Sequence, residues 1–188
     1  MPANSHKAHR LVWIDLEMTG LDAETCVIVE IATIVTDGDL NIIAEGPELV
    51  LHATDEQLAA MVPVVQEMHT RSGLLPEIQA STLTVAEAEE QTLAFIREHC
   101  SKKGAHPLCG NSIGTDRRFL LRYMPSIENH LSYRSVDVST IKELARRWYP
   151  DLYQSRPRKG EGHRALADIR ESIVELRHWR AAVFIPPA

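Results

Sequence analysis

The chain has 188 residues, 44% hydrophobic and 24% charged, with a formal net charge of −6 and a pI near 5.8. That length suits one domain with a buried core, and no apolar run approaches the ~20 residues of a membrane-spanning helix. The negative balance argues against wrapping a long nucleic acid, which requires many phosphates to be neutralised by Lys and Arg, but leaves room for a substrate with few phosphates. The polar start of the chain has no apolar core of a secretory signal. Residues 1–9 read as a lead-in, 10–182 as the single domain and 183–188 as a tail. Cys26, Cys100 and Cys109 form no CxxC pair and read as reduced thiols of a cytoplasmic protein.

Residues 11–17 are β-branched and aromatic and predict a strand, ended by Thr19-Gly20. Residues 26–36 predict a second strand and 40–52 a third, with Asp37-Gly38 as the hairpin turn. A short helix is expected over 55–61. A longer one over 85–100 is opened by Thr84 and Glu87 at capping-box spacing. Residues 107–110 predict a short strand, 113–124 a helix and 134–138 a strand. Residues 140–149 predict a helix with a second capping box (Thr140, Glu143), followed by a loop over 150–162. The last helix is expected from about 164 to 182, with Leu166, Ile169, Ile173 and Leu176 on its apolar stripe. Three strands followed by alternating strands and helices imply an α/β domain with a mixed β-sheet flanked by α-helices.

Four carboxylates and a histidine carry the chemical signal. Strand alternation puts Asp15 and Glu17 on one face, while Val12, Ile14 and Leu16 are free to pack into the core. Two adjacent carboxylates repel and resist burial unless a cation lies between them. Oxygen-only ligation suits hard divalent ions such as Mg²⁺ or Mn²⁺. His163, after Gly160 and Gly162, sits on a loop, and Asp168 falls in the second turn of the helix that follows. Each element alone has a plainer reading: solvated acids at a strand end, or helix-start aspartates at Asp116 and Asp168 favoured by the macrodipole. The signal is their occurrence in order on a strand, a helix start and a loop–helix junction.

The local motifs are long. They are Trp13-Ile-Asp-Leu-Glu-Met-Thr-Gly-Leu21, Glu30-Ile-Ala, Leu40-Asn-Ile-Ile-Ala-Glu-Gly46 and Gly110-Asn-Ser-Ile113 leading to Asp116. Then come Tyr133-Arg134, Asp137-Val-Ser-Thr140, Lys142-Glu-Leu-Ala-Arg-Arg-Trp148 and His163-Arg-Ala-Leu-Ala-Asp168. With these, the chain resembles the oligoribonucleases, in the histidine-containing branch of the DEDD exonuclease superfamily, over residues 10–182. One departure is the stretch Met61–His69, which lacks the Asp-Trp-Asn that many members carry there.

The resemblance implies a ribonuclease H-like fold. It also implies 3′→5′ hydrolysis of very short oligoribonucleotides, dinucleotides above all and linear diguanylate among them, to nucleoside 5′-monophosphates. Two divalent cations, Mg²⁺ or Mn²⁺, would be held by Asp15, Glu17, Asp116 and Asp168, with His163 as general base. Ser112, Arg134 and Ser139 would cap the 5′ phosphate, with Tyr133 donated across a homodimer interface. Leu21 and His69 would contact the bases. The plainer readings are helix caps for Ser112 and Ser139, a surface cation for Arg134, a turn leucine and a solvated histidine. The rivals are a broader DNA or RNA exonuclease of the same fold and a non-catalytic nucleotide-binding module.

Overall fold

The computed structural model describes residues 9–157, 160 and 162–185. Residues 1–8 of the expected lead-in, 186–188 of the tail, and Arg158, Lys159 and Glu161 of the expected loop lie outside the described residues. One five-stranded sheet organises the chain, in the order β3-β2-β1-β4-β5. β1 (Leu11–Met18), β2 (Ile28–Thr36) and β3 (Ile42–Val50) form an antiparallel meander. β4 (Pro107–Gly110) and β5 (Ser132–Asp137) add on parallel to β1. The mixed sheet flanked by helices is the architecture expected from the element order.

The two faces of β1 have separate tasks. Val12, Ile14 and Leu16 enter one core with Leu93 and Ile96 of α4 (Val85–His99), Phe119 and Leu120 of α5 (Gly114–Tyr123), and Ile127 of α6 (Pro125–His130). Trp13 on the opposite face packs with Ala32 and Ile34 of β2 and with Ile169, Ile173 and Trp179 of α9 (Ala165–Val183). α7 (Val138–Trp148) joins this second layer through Val138 and Ala145. Asp15 and Glu17 follow Trp13 at strand spacing, so they project toward the α9 layer at the end of the strand. β2, covered on both faces, is buried along its whole length, which is why it reads as one apolar run.

Several sequence expectations need correction. The β2–β3 turn is wider than an Asp-Gly pair. The Asp37 carboxylate accepts hydrogen bonds from the Asp39 and Asn41 N–H groups (2.9 and 2.8 Å), and Leu40, not Gly38, takes the left-handed conformation (φ 70°). Burial of the Leu40 side chain in the α9 layer holds it there. Thr140 and Glu143 form no capping box. α7 starts earlier, at Val138, with Asp137 as N-cap accepting from the Ser139 N–H at 2.9 Å. Glu143 instead pairs with Arg146 and Arg147. The capping box at Thr84 and Glu87 is formed as expected.

The stretch over 150–162 is not all loop, since Pro150 opens α8 (Pro150–Gln154). α2 (Pro63–Arg71), α3 (Leu74–Ala80) and α6 have no counterpart among the predicted elements. They are short, and burial of Leu74, Ile78 and Ile127 rather than a long apolar stripe holds them. α2 forms without the family tryptophan, with Pro63 in its first turn. Gly73, at φ 77°, supplies the left-handed residue between α2 and α3.

Candidate active site

β4 is short, and its pairing with β1 stops at Trp13↔Cys109. Gly110 ends it in close packing: a Cβ there would lie 2.6 Å from the Ile113 side chain and 3.3 Å from the Ile14 carbonyl. Beyond that point the outer edge of β1 has no strand beside it. Asp116, in the first turn of α5, takes the place of the strand, its Oδ1 accepting from the Leu16 N–H at 3.2 Å. The carboxylate-bearing end of β1 is thus held by a side chain from the middle of the chain.

Asp15, Glu17 and Asp168 converge, with one carboxylate oxygen from each within 4.8 Å of the others. Asp168 lies in the first turn of α9, one turn earlier than the sequence suggests. Asp116 stands outside this trio but close enough for its charge to act on Glu17. Glu17 is buried and its pKa is raised to about 8, first by desolvation and then by the charges of Asp168, Glu30 and Asp116. Burial likewise raises Asp116 to about 6, against the hydrogen bonds from its own N–H and that of Leu16. Three oxygens gathered with unfavourable charge are the donor set a hard divalent cation relieves.

His163 sits just before α9 with φ 41°, a left-handed conformation that costs a residue with a Cβ about 1–3 kcal/mol. It is partly exposed and close enough to His69 for the two charges to interact. His69 is fully buried. Its Nε2 lies 2.9 Å from the Met18 carbonyl oxygen and its Nδ1 has no hydrogen-bond partner. Desolvation lowers its pKa. Leu21, by contrast, is 71% exposed just past the end of β1.

Ser112 and Ser139 meet around Asp137. The Ser112 N–H donates to Asp137 Oδ1 (3.0 Å) and to Ser139 Oγ (3.2 Å), and the Ser139 hydroxyl donates to Asp137 Oδ1 at 2.6 Å. Ser139 therefore lies inside α7 rather than capping it, and Ser112 adopts φ 56°. Arg134 is exposed on β5, its guanidinium 5.5 Å from the ring centroid of Tyr133, which is 82% exposed. Arg117, next to Asp116, donates to the Ser132 and Tyr133 carbonyls and so ties this strand to α5.

Sequence reasoning passed over the residues that hold these groups. Asp137 organises the two serines. Glu30, Arg164 and Glu77 fasten the start of α9. A buried network of Asn111, Lys142, Ser172 and Glu175 locks α9 against α7 and the end of β4. The usable signal was a lone acid, Glu30, inside the apolar run of β2.

The exonuclease family of RNase T type matches residues 12–176. An oligoribonuclease of Rhodococcus jostii is 56% identical over 94% of this chain and 89% of its own length. One of Streptomyces coelicolor is 57% identical over 94% and 88%. The chain belongs to the oligoribonuclease family. Among solved structures, exonuclease I of Methylocaldum szegediense superposes with a TM-score of 0.66 at 21% identity over 93% of this chain. The zinc-bound complex of E. coli exonuclease I with single-stranded DNA superposes at 0.70 and 15% over the same share. This chain spans 41% of the length of each, so these matches establish the exonuclease fold alone.

Proposed function

We propose that this protein is a divalent-cation-dependent 3′→5′ exoribonuclease that finishes very short oligoribonucleotides, dinucleotides above all and linear diguanylate among them, as nucleoside 5′-monophosphates. The observation that carries this reading is the convergence of Asp15, Glu17 and Asp168, from opposite ends of the chain, within 4.8 Å. Asp15, Glu17 and Asp168 would hold one cation and Asp15 with Asp116 a second, Mg²⁺ or Mn²⁺ by the hardness of the oxygen donors. Such a pair activates water and stabilises the attacking and leaving oxygens of the phosphodiester. His163 takes the proton from the attacking water. Its loop position lets it approach from solvent, while Asp168 is fixed by the helix that follows.

Ser112, Ser139 and Arg134 are the groups for the 5′ phosphate. Two serines brought together by Asp137, Ser112 through its N–H and Ser139 through its hydroxyl, and an exposed guanidinium suit a single terminal phosphate. The acidic net charge fits a substrate with few phosphates. Leu21 is placed to meet a base by its exposure. His69 lies enclosed behind the end of β1, and contact with a base requires it to open.

The working unit is a homodimer in which Tyr133 reaches the partner's substrate. Supporting this, Tyr133 projects from an edge strand, and Leu144, Trp148, Tyr149 and Phe184 line an apolar groove that is partly open to solvent. Among the described residues no helix is long and apolar enough to cross a membrane. All three cysteines are free, which supports the cytoplasmic setting proposed here.

Single-turnover cleavage of 5′-labelled RNAs from two to ten residues tests the substrate class. The dinucleotide is expected to be cleaved fastest. Equal or faster cleavage of the longer RNAs would instead mark a general exonuclease of this fold.

A further inference from the structure

His163 has an unfavourable backbone conformation on an irregular segment, yet a general base must be held to within a fraction of an ångström. The residue beside it is unusually well fastened. Arg164 Nε donates to Glu30 Oε1 at 2.8 Å, and its two terminal nitrogens donate to the two oxygens of Glu77 at 2.9 Å each. The Ala165 N–H donates to the other oxygen of Glu30 at 2.9 Å. Glu30 is wholly buried on β2 and directly opposite Glu17 in the β1–β2 register. One guanidinium therefore joins the central sheet to α3, and Glu30 joins it to the first residue of α9. On the other side of His163, the Gly160 N–H donates to Glu171 Oε1 of α9 at 2.9 Å.

Taking the reading of His163 as general base, we propose that Arg164, clamped between Glu30 and Glu77, is a positioning residue that sets the place of the His163 imidazole beside the carboxylates. Arg164 adopts an extended conformation (φ −126°, ψ 129°) and directly follows the left-handed residue His163 (φ 41°), so fastening its side chain to β2 and α3 fixes the main chain on the carboxyl side of His163. The fork onto Glu77 and the single bond to Glu30 use the planar spread of a guanidinium, which a lysine ammonium cannot reproduce. The clamp keeps the charge of Glu30 compensated at a depth where an uncompensated carboxylate is costly. It also costs no catalytic oxygen, because Glu30 is kept for the arginine.

The test is Arg164→Lys, alone and combined with His163→Ala, on a 5′-phosphorylated diribonucleotide with Mn²⁺. Arg164→Lys is expected to lower kcat about 10- to 100-fold, the usual effect of losing a partner that orients a catalytic group. KM and melting temperature should stay close to wild type. In the His163→Ala background the same substitution should have no further effect. In the metal-free protein the imidazole NMR signals of His163 should shift.

Wild-type kcat in Arg164→Lys, or an equal loss with and without His163, overturns the positioning role. Glu77→Gln removes only the outer arm of the clamp and leaves Glu30 paired. It should give a smaller loss in kcat that is likewise absent without His163, and a loss that persists there counts against the proposal. Wild-type turnover in His163→Ala alone would overturn the general-base reading itself. Impaired His163→Ala beside unimpaired Arg164→Lys would overturn the clamp and spare that reading.

Discussion

Glu17 and Glu30 face each other across the β1–β2 ladder, both buried, and their surroundings differ in kind. Glu30 accepts from the Arg164 guanidinium and from the Ala165 N–H. Burial still raises its pKa, but these two partners oppose the rise. Burial first, and then the charges of Asp168, Glu30 and Asp116 around it, raise the pKa of Glu17 to about 8, and the charge of Arg164 offsets them only in part. One glutamate has its cation built into the chain. The other is arranged as if its cation arrives from solution. The lesson is that a buried acid is a functional signal when its neighbours are also acids, and a structural one when an arginine reaches it.

Exchanging each glutamate for glutamine breaks this contrast most visibly in turnover. Glu17→Gln is expected to reduce release of nucleoside 5′-monophosphate to background, as chelation of the wild type with EDTA should, with Mn²⁺ or Mg²⁺ restoring only the wild type. Glu30→Gln should leave activity that is metal-dependent and measurable, lower by about 10- to 100-fold. Activity that survives full chelation would remove the cation from the argument.

Outside the acid pair, the expected effect falls between those of Glu17→Gln and Glu30→Gln. His163→Ala should lower kcat by about 10²–10⁴-fold, the range for loss of a general base, while binding of a non-hydrolysable dinucleotide remains. Weakened binding with unchanged kcat would assign the histidine to the substrate instead.

The smallest effects are in stability, and there the two glutamates should differ in sign. The folded-state pKa of Glu17 lies above its ordinary value of 4.5, so the folded protein binds that proton more tightly than the unfolded chain. Stability of the metal-free protein therefore falls as pH rises from about 4.5 to about 8, with Asp116 adding to the fall up to about 6. Glu17→Gln should flatten this slope and raise the metal-free melting temperature at pH 8, by at least about 1 kcal/mol in stability. Glu30, whose pKa burial also raises, adds to the same fall with pH, yet Glu30→Gln should lower stability by about 1–3 kcal/mol, because the amide cannot accept from both the Arg164 guanidinium and the Ala165 N–H. Thermal melts across pH, with and without Mn²⁺, read both. A Glu17→Gln protein less stable than wild type without metal would mean that the site is not electrostatically strained.

Period and residue type made the meander, β4, α4, α5 and α9 legible, since each is long enough or regular enough for its burial pattern to be written locally. The same residues named the acids and the histidine. Strand alternation alone put Asp15 and Glu17 on one side, away from Val12, Ile14 and Leu16. α2, α3, α6 and α8 were not legible, because a helix of one or two turns is held by what it packs against and carries little signal of its own. Nor was the start of α7: Asp137 and Thr140 are both good caps in sequence, and the bond from the Ser139 N–H to the Asp137 side chain shows which is used.

The linear order of side chains thus determined the chemistry available to this protein, because donor type and spacing along a strand or helix are local properties. Which acids converge, which one meets an arginine, and the left-handed turn of the chain at His163 were decided by the tertiary structure. Those outcomes depend on contacts between residues some hundred positions apart, such as Leu16 with Asp116 and Glu30 with Arg164, and no local pattern encodes the closure of such loops.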